Sequence, residues 1–336
     1  MRLSESALLR LRLDGAMLGT ATNGTYVPAL IPLNERVWEN RNQWPQVEAW
    51  LANFDGRAGF EPEVEKLHAL FLLSQFLFIG AAETRVLLQS VYRDLFLIPL
   101  IQEVRASLDG SRDPAVVEAA VDEALAKTRF LGVGNPSESG VHLLYYFRQE
   151  NQLSKRLFLD SAAVFISSLG EDGKIERALA HPGVERYIFV DDVCGSGDTA
   201  AEYSEGIVTE LLALKPDAKL HYLAMFATRK GIEKVRTTKF GGGSAAVFEL
   251  DDSYSCLSAD ARILLDAPPH IEAATLEKVA MSYGGLLWPA CPGGWGNNQL
   301  LLGFQHNTPD NTLPIIWAEG SSTLPWTPAF KRYAKL

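Results

Sequence analysis

The sequence predicts an α/β fold, a mostly parallel sheet flanked by helices, on the strength of three observations. Residues 187–190, Tyr-Ile-Phe-Val, form an apolar run of strand length that leads into a glycine-rich turn and then into apolar residues at helical spacing. A strand apolar at every position is buried on both faces, as strands of parallel sheets are. From Phe130 to Leu250, strand-like and helix-like stretches alternate in the manner of βαβ units. The flanks lack this alternation, so three regions are expected: a mainly helical N-terminal region (1–125), the α/β core (126–255) and a C-terminal extension (256–336).

In chain order, a Trp/Pro-rich entry (Trp38, Trp44, Pro45, Trp50) leads into helices over 63–79 and 83–108. Asp113-Pro114 is a capping residue followed by proline at the first helical position. The helix after it places Val117, Val121, Ala124 and Leu125 on one side. Residues 130–133 read as a short strand, 134–140 as a turn-forming loop, 141–147 as a helix and 157–166 as a strand. The polar Gly-Glu-Asp-Gly at 170–173 suits a hairpin tip. The central strand follows His181-Pro182-Gly183, and after its helix come a strand over 220–227, a short helix over 231–236 and a strand over 245–250. A helix over 271–281 is expected to stop at Gly284-Gly285, and short strands are expected over 300–304 and 313–317, around an Asn/Pro turn at 307–311.

The chain has 336 residues, 47% hydrophobic and 21% charged, as ordinary globular proteins have. Its net charge of −10 argues against a nonspecific nucleic-acid or anionic-membrane binder. The basic group Arg229, Lys230, Lys234, Arg236 and Lys239 either meets phosphates locally or is the wet face of a helix. Cys194, Cys256 and Cys291 are widely spaced with no metal pattern, which suggests reduced thiols and a cytoplasmic protein. Cys194 reads as a small buried hydrophobe rather than a nucleophile. Arg2, Glu5, Arg10 and Arg12 interrupt any signal peptide. The longest apolar segment, 67–80, contains Ser74 and Gln75 and falls short of the ~20 residues a membrane span needs.

The chemistry gathers at 186–199, Arg-Tyr-Ile-Phe-Val-Asp-Asp-Val-Cys-Gly-Ser-Gly-Asp-Thr. A turn of small residues into a helix offers free N–H groups and a positive dipole end to a phosphate. Gly195 and Gly197 permit close backbone approach, and Ser196 and Thr199 add hydroxyls. Asp191 and Asp192, a few ångströms earlier, suit ribose hydroxyls or a shared Mg2+. Two other readings fit the same residues: acids that merely cap the helix, or a receiver-domain aspartate pair, although the phosphate-type loop speaks against the latter.

This string resembles the phosphoribosyl-pyrophosphate (PRPP) motif of the type I phosphoribosyltransferases, through Ile188-Phe189-Val190, Asp191-Asp192 and Ser196-Gly197-Asp198-Thr199. The resemblance implies binding of PRPP or another nucleotide-type small molecule with Mg2+ held by Asp191 and Asp192. Transfer or cleavage of a phosphoribosyl group follows from it. A pyrophosphate loop is then expected at 134–140, with Ser137, Ser139 and Gly140. Arg229 and Lys230 rank ahead of Arg148 and Lys155 for neutralising the leaving group, since carboxyl ends of parallel strands face the ligand. Family members that use 6-oxopurines carry an acid three positions after the second motif acid, where this chain has Gly195. Asp198 is a second departure: a carboxylate facing the phosphate at 5 Å would repel it by about 3 kcal/mol at an effective dielectric near 20.

The tail, Trp-Gly-Asn-Asn and then His-Asn-Thr-Pro-Asp-Asn-Thr-Leu-Pro-Ile-Ile-Trp, resembles a prokaryotic conflict-system (antiphage) branch of phosphoribosyltransferase-like proteins. In transferases of this fold a hood selects the acceptor, which implies that Trp295, Asn297, Asn298, His306, Asn307 and Trp317 stack on and hydrogen-bond a base. Alternatively the tryptophans are core, and the Asn/Pro cluster is a turn held by its own side chains. Three functions are weighed: an enzyme acting as a defence effector, a non-catalytic sensor controlling a protein partner through the helical region, and an interaction module with a vestigial site. An oligomer is compatible with each.

Overall fold

The computed structural model describes residues 27–134, 139–169 and 173–333. Helices α1 (Val27–Arg36), α2 (Trp44–Leu51) and α3 (Pro62–Ser74) precede strand β1 (Leu77–Ile79). Next come α4 (Ala81–Tyr92), a π turn at Arg93–Leu97, α5 (Ile98–Ser107) and α6 (Pro114–Ala126). Strand β2 (Thr128–Gly132), helix α7 (Ser139–Glu150), strands β3 (Phe165–Leu169) and β4 (Ile175–Leu179) and strand β5 (Arg186–Cys194) follow. Helix α8 (Asp198–Tyr203) runs through a π turn into α9 (Thr209–Leu214), followed by β6 (Lys219–Thr228), α10 (Arg229–Arg236) and β7 (Ser244–Leu250). The chain continues with α11 (Ala273–Leu287), β8 (Leu302–Phe304) and the single turn α12 (Pro314–Trp317). Two compact units result: the chain up to Ala81 with Asp251–Leu336, and Ala82–Leu250. The regions drawn from sequence end at 125 and 255, whereas the compact units change at 81 and 250.

The Ala82–Leu250 unit is the α/β one. Its sheet has the order β2-β5-β6-β7 with every pairing parallel. Phe130 pairs with Ile188 and Asp191 with Ala224, so the strands end close together at the carboxyl edge. One face of the sheet is covered through Tyr92, Phe96 and Phe147, which ring Phe130. The other is covered from α8, α9 and α10, with Ala200, Val208, Leu211, Ile232 and Val235 packed on Tyr187, Phe189 and Tyr222. The parallel α/β sheet predicted from the continuous apolar run at 187–190 is therefore present, with that run buried throughout. Asp113 caps α6 as expected, accepting from the N–H groups of Ala115 and Val116. That helix buries none of its side chains fully, so its apolar side is only half covered. β3 and β4 pair as an antiparallel hairpin whose tip, 170–172, lies outside the described residues.

The 157–166 stretch departs from the expected strand. Asp160 accepts from Ala162 N–H and turns the chain at Ser161–Ala163, so the strand starts only at Phe165.

In the other unit α3 and α11 contribute Leu70, Leu73, Leu276, Val279 and Tyr283 to a core with Trp38, Trp50, Phe54 and Trp326. Glu65 is completely buried, and its carboxylate accepts from the N–H groups of Gly56, Ala58 and Phe60 and from the Tyr283 hydroxyl. Three local expectations are corrected here. Residues 77–79, expected to end a helix, form β1 and pair in parallel with β8, as aromatic and branched residues favour. α11 runs through Gly284-Gly285 to Leu287, because Gly284 serves close packing: a Cβ there would lie 2.2 Å from the Pro292 carbonyl oxygen. Residues 313–317, expected as a strand, turn helically with Pro314 at the first position. No helix among the described residues is long and apolar enough to cross a membrane.

Candidate functional site

The carboxyl edge of β5 and β6 brings together Asp191, Asp192, the 195–199 loop and Arg229-Lys230. β5 continues through both acids to Cys194, and Asp191 and Asp192 are 8% and 6% exposed. The Tyr222 hydroxyl, on the neighbouring strand two residues from Asp191's register partner, donates to Asp191 Oδ2 at 2.7 Å. Asp192 N–H donates to Asp191 Oδ1 at 2.9 Å, and Val193 N–H donates to Asp192 Oδ1 at 2.8 Å. Burial first, and the neighbouring Asp192 carboxyl second, push the Asp191 carboxyl well above the usual carboxylate range. Burial pushes the Cys194 thiol up to about 12, which keeps it protonated and supports its reading as a packed hydrophobe.

The bend after β5 is built on glycine. Gly197 lies in the left-handed region (φ +78°) and supplies no side-chain cap to α8, which leaves the first-turn N–H groups to another acceptor. A Cβ on Gly197 would lie 2.7 Å from the Gly231 carbonyl oxygen, and one on Gly231 would lie 2.3 Å from that of Gly195. The loop after β5 and the start of α10 thus touch backbone to backbone. Thr228 fastens them: its hydroxyl donates to the Gly195 carbonyl at 2.6 Å and accepts the Gly231 N–H at 2.9 Å. Ser196 is partly buried, and its Oγ donates to Asp198 Oδ2 at 2.7 Å. Asp198 N–H reaches back to Ser196 Oγ at 3.3 Å, and Lys234 of α10 forms an ion pair with Asp198 Oδ1. Thr199 is exposed. Arg229 and Lys230 open α10 at the same edge of the sheet and are also exposed.

Gly140, in the first turn of α7, packs where a Cβ would lie 2.4 Å from the Val133 carbonyl oxygen and 3.2 Å from that of Val190. The Tyr203 hydroxyl of α8 donates to the Gly134 carbonyl, which ties the start of the 134–140 loop to the motif helix. Ser137 lies outside the described residues, and of Ser139 only the backbone, at the start of α7, is described. Arg148 is in the last turn of α7, over the Tyr145 ring, and Lys155 is in the turn Lys155–Leu157 beyond that helix.

The residues expected to meet a base belong to the other unit. Trp295 is 43% exposed and stacks on Trp288, with ring centroids 6.1 Å apart. Asn297 has φ +52° and accepts from Gln299 Nε2 at 3.4 Å. His306 stacks on Phe304. Asn307 Oδ1 accepts the N–H groups of Thr308 and Tyr333, both at 3.0 Å, so its carbonyl holds the turn. Asn298 accepts from Asn311, and the Trp317 indole donates to the Thr312 carbonyl.

Tyr222 and Thr228 did not come forward as site residues from sequence, and Lys234 did so only as one of the basic group that could meet phosphates. Thr228 was the findable one, as a hydroxyl residue directly before a helix start. The Tyr222–Asp191 contact depends on strand register, which no local pattern displays.

A family model described as PRTase-CE matches residues 47–332. No curated protein matches the chain. Among solved structures, Helicobacter pylori xanthine-guanine-hypoxanthine phosphoribosyltransferase aligns at 12% identity over 40% of this chain and 82% of that one, with a TM-score of 0.22.

Proposed function

The chain belongs to the PRTase-CE family, of type I phosphoribosyltransferase-like proteins, and from that premise we propose that its α/β unit binds the phosphoribosyl part of PRPP or of a nucleotide and transfers or cleaves it. One observation carries the reading: two buried acids near the end of β5 are followed, after four intervening residues, by a left-handed glycine and a helix start that its N-cap side chain leaves uncapped. In this reading the N–H groups of 196–199 and the hydroxyls of Ser196 and Thr199 hold the 5′-phosphate. Asp192 and Asp191 accept hydrogen bonds from the ribose hydroxyls, with Tyr222 orienting Asp191. Gly140 packs close to the strand ends, residues 134–140 with Ser137 and Ser139 receive a pyrophosphate group, and Arg229 and Lys230 neutralise charge that leaves.

Mg2+ fits this donor set. Two adjacent carboxyls, of which Asp191 is held above its usual range first by burial and then by Asp192, are relieved by a cation. Among the described residues no three metal-binding side chains gather, so the ion would complete its shell with substrate oxygens and water, as Mg2+ commonly does. When bound, it would supply charge neutralisation at the diphosphate.

The test is thermal melting with PRPP, ribose 5-phosphate and nucleotides, with and without Mg2+. Ligand at 100 times its dissociation constant should stabilise by about 2.7 kcal/mol, and Asp191→Asn with Asp192→Asn should abolish the shift. An unchanged shift in that double variant rejects the assignment. Release of pyrophosphate or free base marks an enzyme. A retained shift with no turnover across a broad base panel marks a sensor that controls a partner, a reading favoured by the engagement of Asp191 with Tyr222 and of Ser196 with Asp198. The resemblance of the tail to the conflict-system branch supports a defence role. A neighbouring nuclease or reverse-transcriptase gene is then expected, and purine or pyrimidine genes would speak for salvage.

A further inference from the structure

We propose that Asp198 is a built-in competitor for the phosphate: its carboxylate holds the Ser196 hydroxyl and the Lys234 ammonium in the ligand's place, and the loop takes up a phosphate ester only as that carboxylate yields. This rests on the reading of 195–199 as the phosphate loop.

A serine hydroxyl has one proton to donate. Ser196 spends it on Asp198 Oδ2 at 2.7 Å, so its oxygen presents only lone pairs to an incoming anion. The Asp198 N–H, at the helix start where a phosphate would be gripped, is turned to Ser196 Oγ at 3.3 Å. Two donors of the loop are therefore spent on acceptors within the loop itself. Lys234 completes the arrangement from α10, whose start is locked to the loop by the Gly197–Gly231 approach and by Thr228. The cation is thus delivered by a fixed element rather than by a drifting surface chain. Asp198 and Lys234 remain 36% and 45% exposed, so a ligand can reach them and solvent weakens their attraction.

The contest favours one class of ligand. A carboxylate offers a single charge and two oxygens, whereas a phosphate monoester offers close to two charges and three acceptor oxygens to the same donors. A dianionic ester can displace Asp198 and inherit both Ser196 and Lys234. A carboxylate ligand of equal size gains nothing over the residue already there. Asp198 and Lys234 are in this sense specificity-determining residues, with opposite effects on affinity.

Calorimetric titration of the full chain with ribose 5-phosphate tests this, using the parent, Asp198→Ala, Ser196→Ala, the Ser196→Ala/Asp198→Ala double variant and Lys234→Met. Ligand-free melting shows that each is folded, and Asp198→Asn replaces the alanine variant should that one unfold. Asp198→Ala is expected to bind about tenfold more tightly, the scale of one freed charge-assisted hydrogen bond. The gain should shrink on the Ser196→Ala background, and Lys234→Met should bind more weakly than the parent. Equal or weaker binding by Asp198→Ala, or a gain of the same size without Ser196, overturns the inference while leaving the phosphate-loop reading in place. If neither the parent nor the Asp198 variants bind ribose 5-phosphate or PRPP, the loop reading itself falls and the inference with it.

Discussion

Asp191 occupies a position that opposes stability in its charged form. Its folded-state pKa is raised from 3.8, first by burial and then by Asp192, so the native chain holds this proton more tightly than the unfolded chain does. Stability from this group is accordingly present in acid and is lost as pH rises from about 4 through the raised value. Asp191→Asn cannot ionise, so it should melt above the parent at pH 7, with the gap closing as pH falls towards 4. A gap that widens in acid would show the carboxylate to be stabilised where it sits. Gly231 gives a second prediction at this scale. A methyl group there would meet backbone oxygens of Gly195 and Cys194 at 2.3 and 2.8 Å, and neither can retreat without moving the loop. Gly231→Ala should cost about 1–3 kcal/mol in urea unfolding and remove the ligand-induced melting shift, as overpacking does. A folded variant with an unchanged shift would mean the two loops need not touch. The need for a glycine at 197 was legible from the tight turn into a helix, but its reliance on Gly231 was not, because the partner lies thirty-four positions away.

Between elements, Thr228 is the fastener of the site, capping α10 while donating to the loop after β5. Thr228→Val keeps the shape and loses both bonds. It should lower stability by about 1–2 kcal/mol and weaken ribose 5-phosphate binding severalfold, with Thr228→Ser restoring both. A stability loss with binding intact would confine its role to the cap. Local signals served where local physics decides the element: the continuous apolar run of β5, the Asp113-Pro114 start of α6, and the polar tip between β3 and β4. They failed where a distant partner decides it. Residues 77–79 become a strand only because β8 pairs with them. Gly284 stays helical because it leaves room for Pro292, and glycine read in isolation signals a stop. The candidate site was legible for the same reason as β5: acids, loop and helix start are contiguous in sequence, whereas Tyr222 and Thr228 reach it from the neighbouring strand and the Lys234 pairing with Asp198 comes from the helix after that strand.

At the scale of the whole molecule, an anionic ligand approaches a chain of net charge −10. The cations that the proposed site would set against it, Arg229, Lys230 and Lys234, are a small local group on α10. Ionic strength separates the two fields. At 0.01 M salt the Debye length is about 30 Å, and the ligand feels the repulsion of the entire protein; at 0.15 M it is about 8 Å, and only charges lining the last part of the approach count. Raising salt between those limits should therefore speed PRPP association, measured by stopped-flow at fixed Mg2+, instead of slowing it as at a basic protein. Arg229→Gln with Lys230→Gln should lower the rate most at 0.15 M, where the local cations act without the global field. A rate that falls steadily with added salt would show that the cationic edge governs approach at long range, and that the acidic surface is turned away from the path the ligand takes.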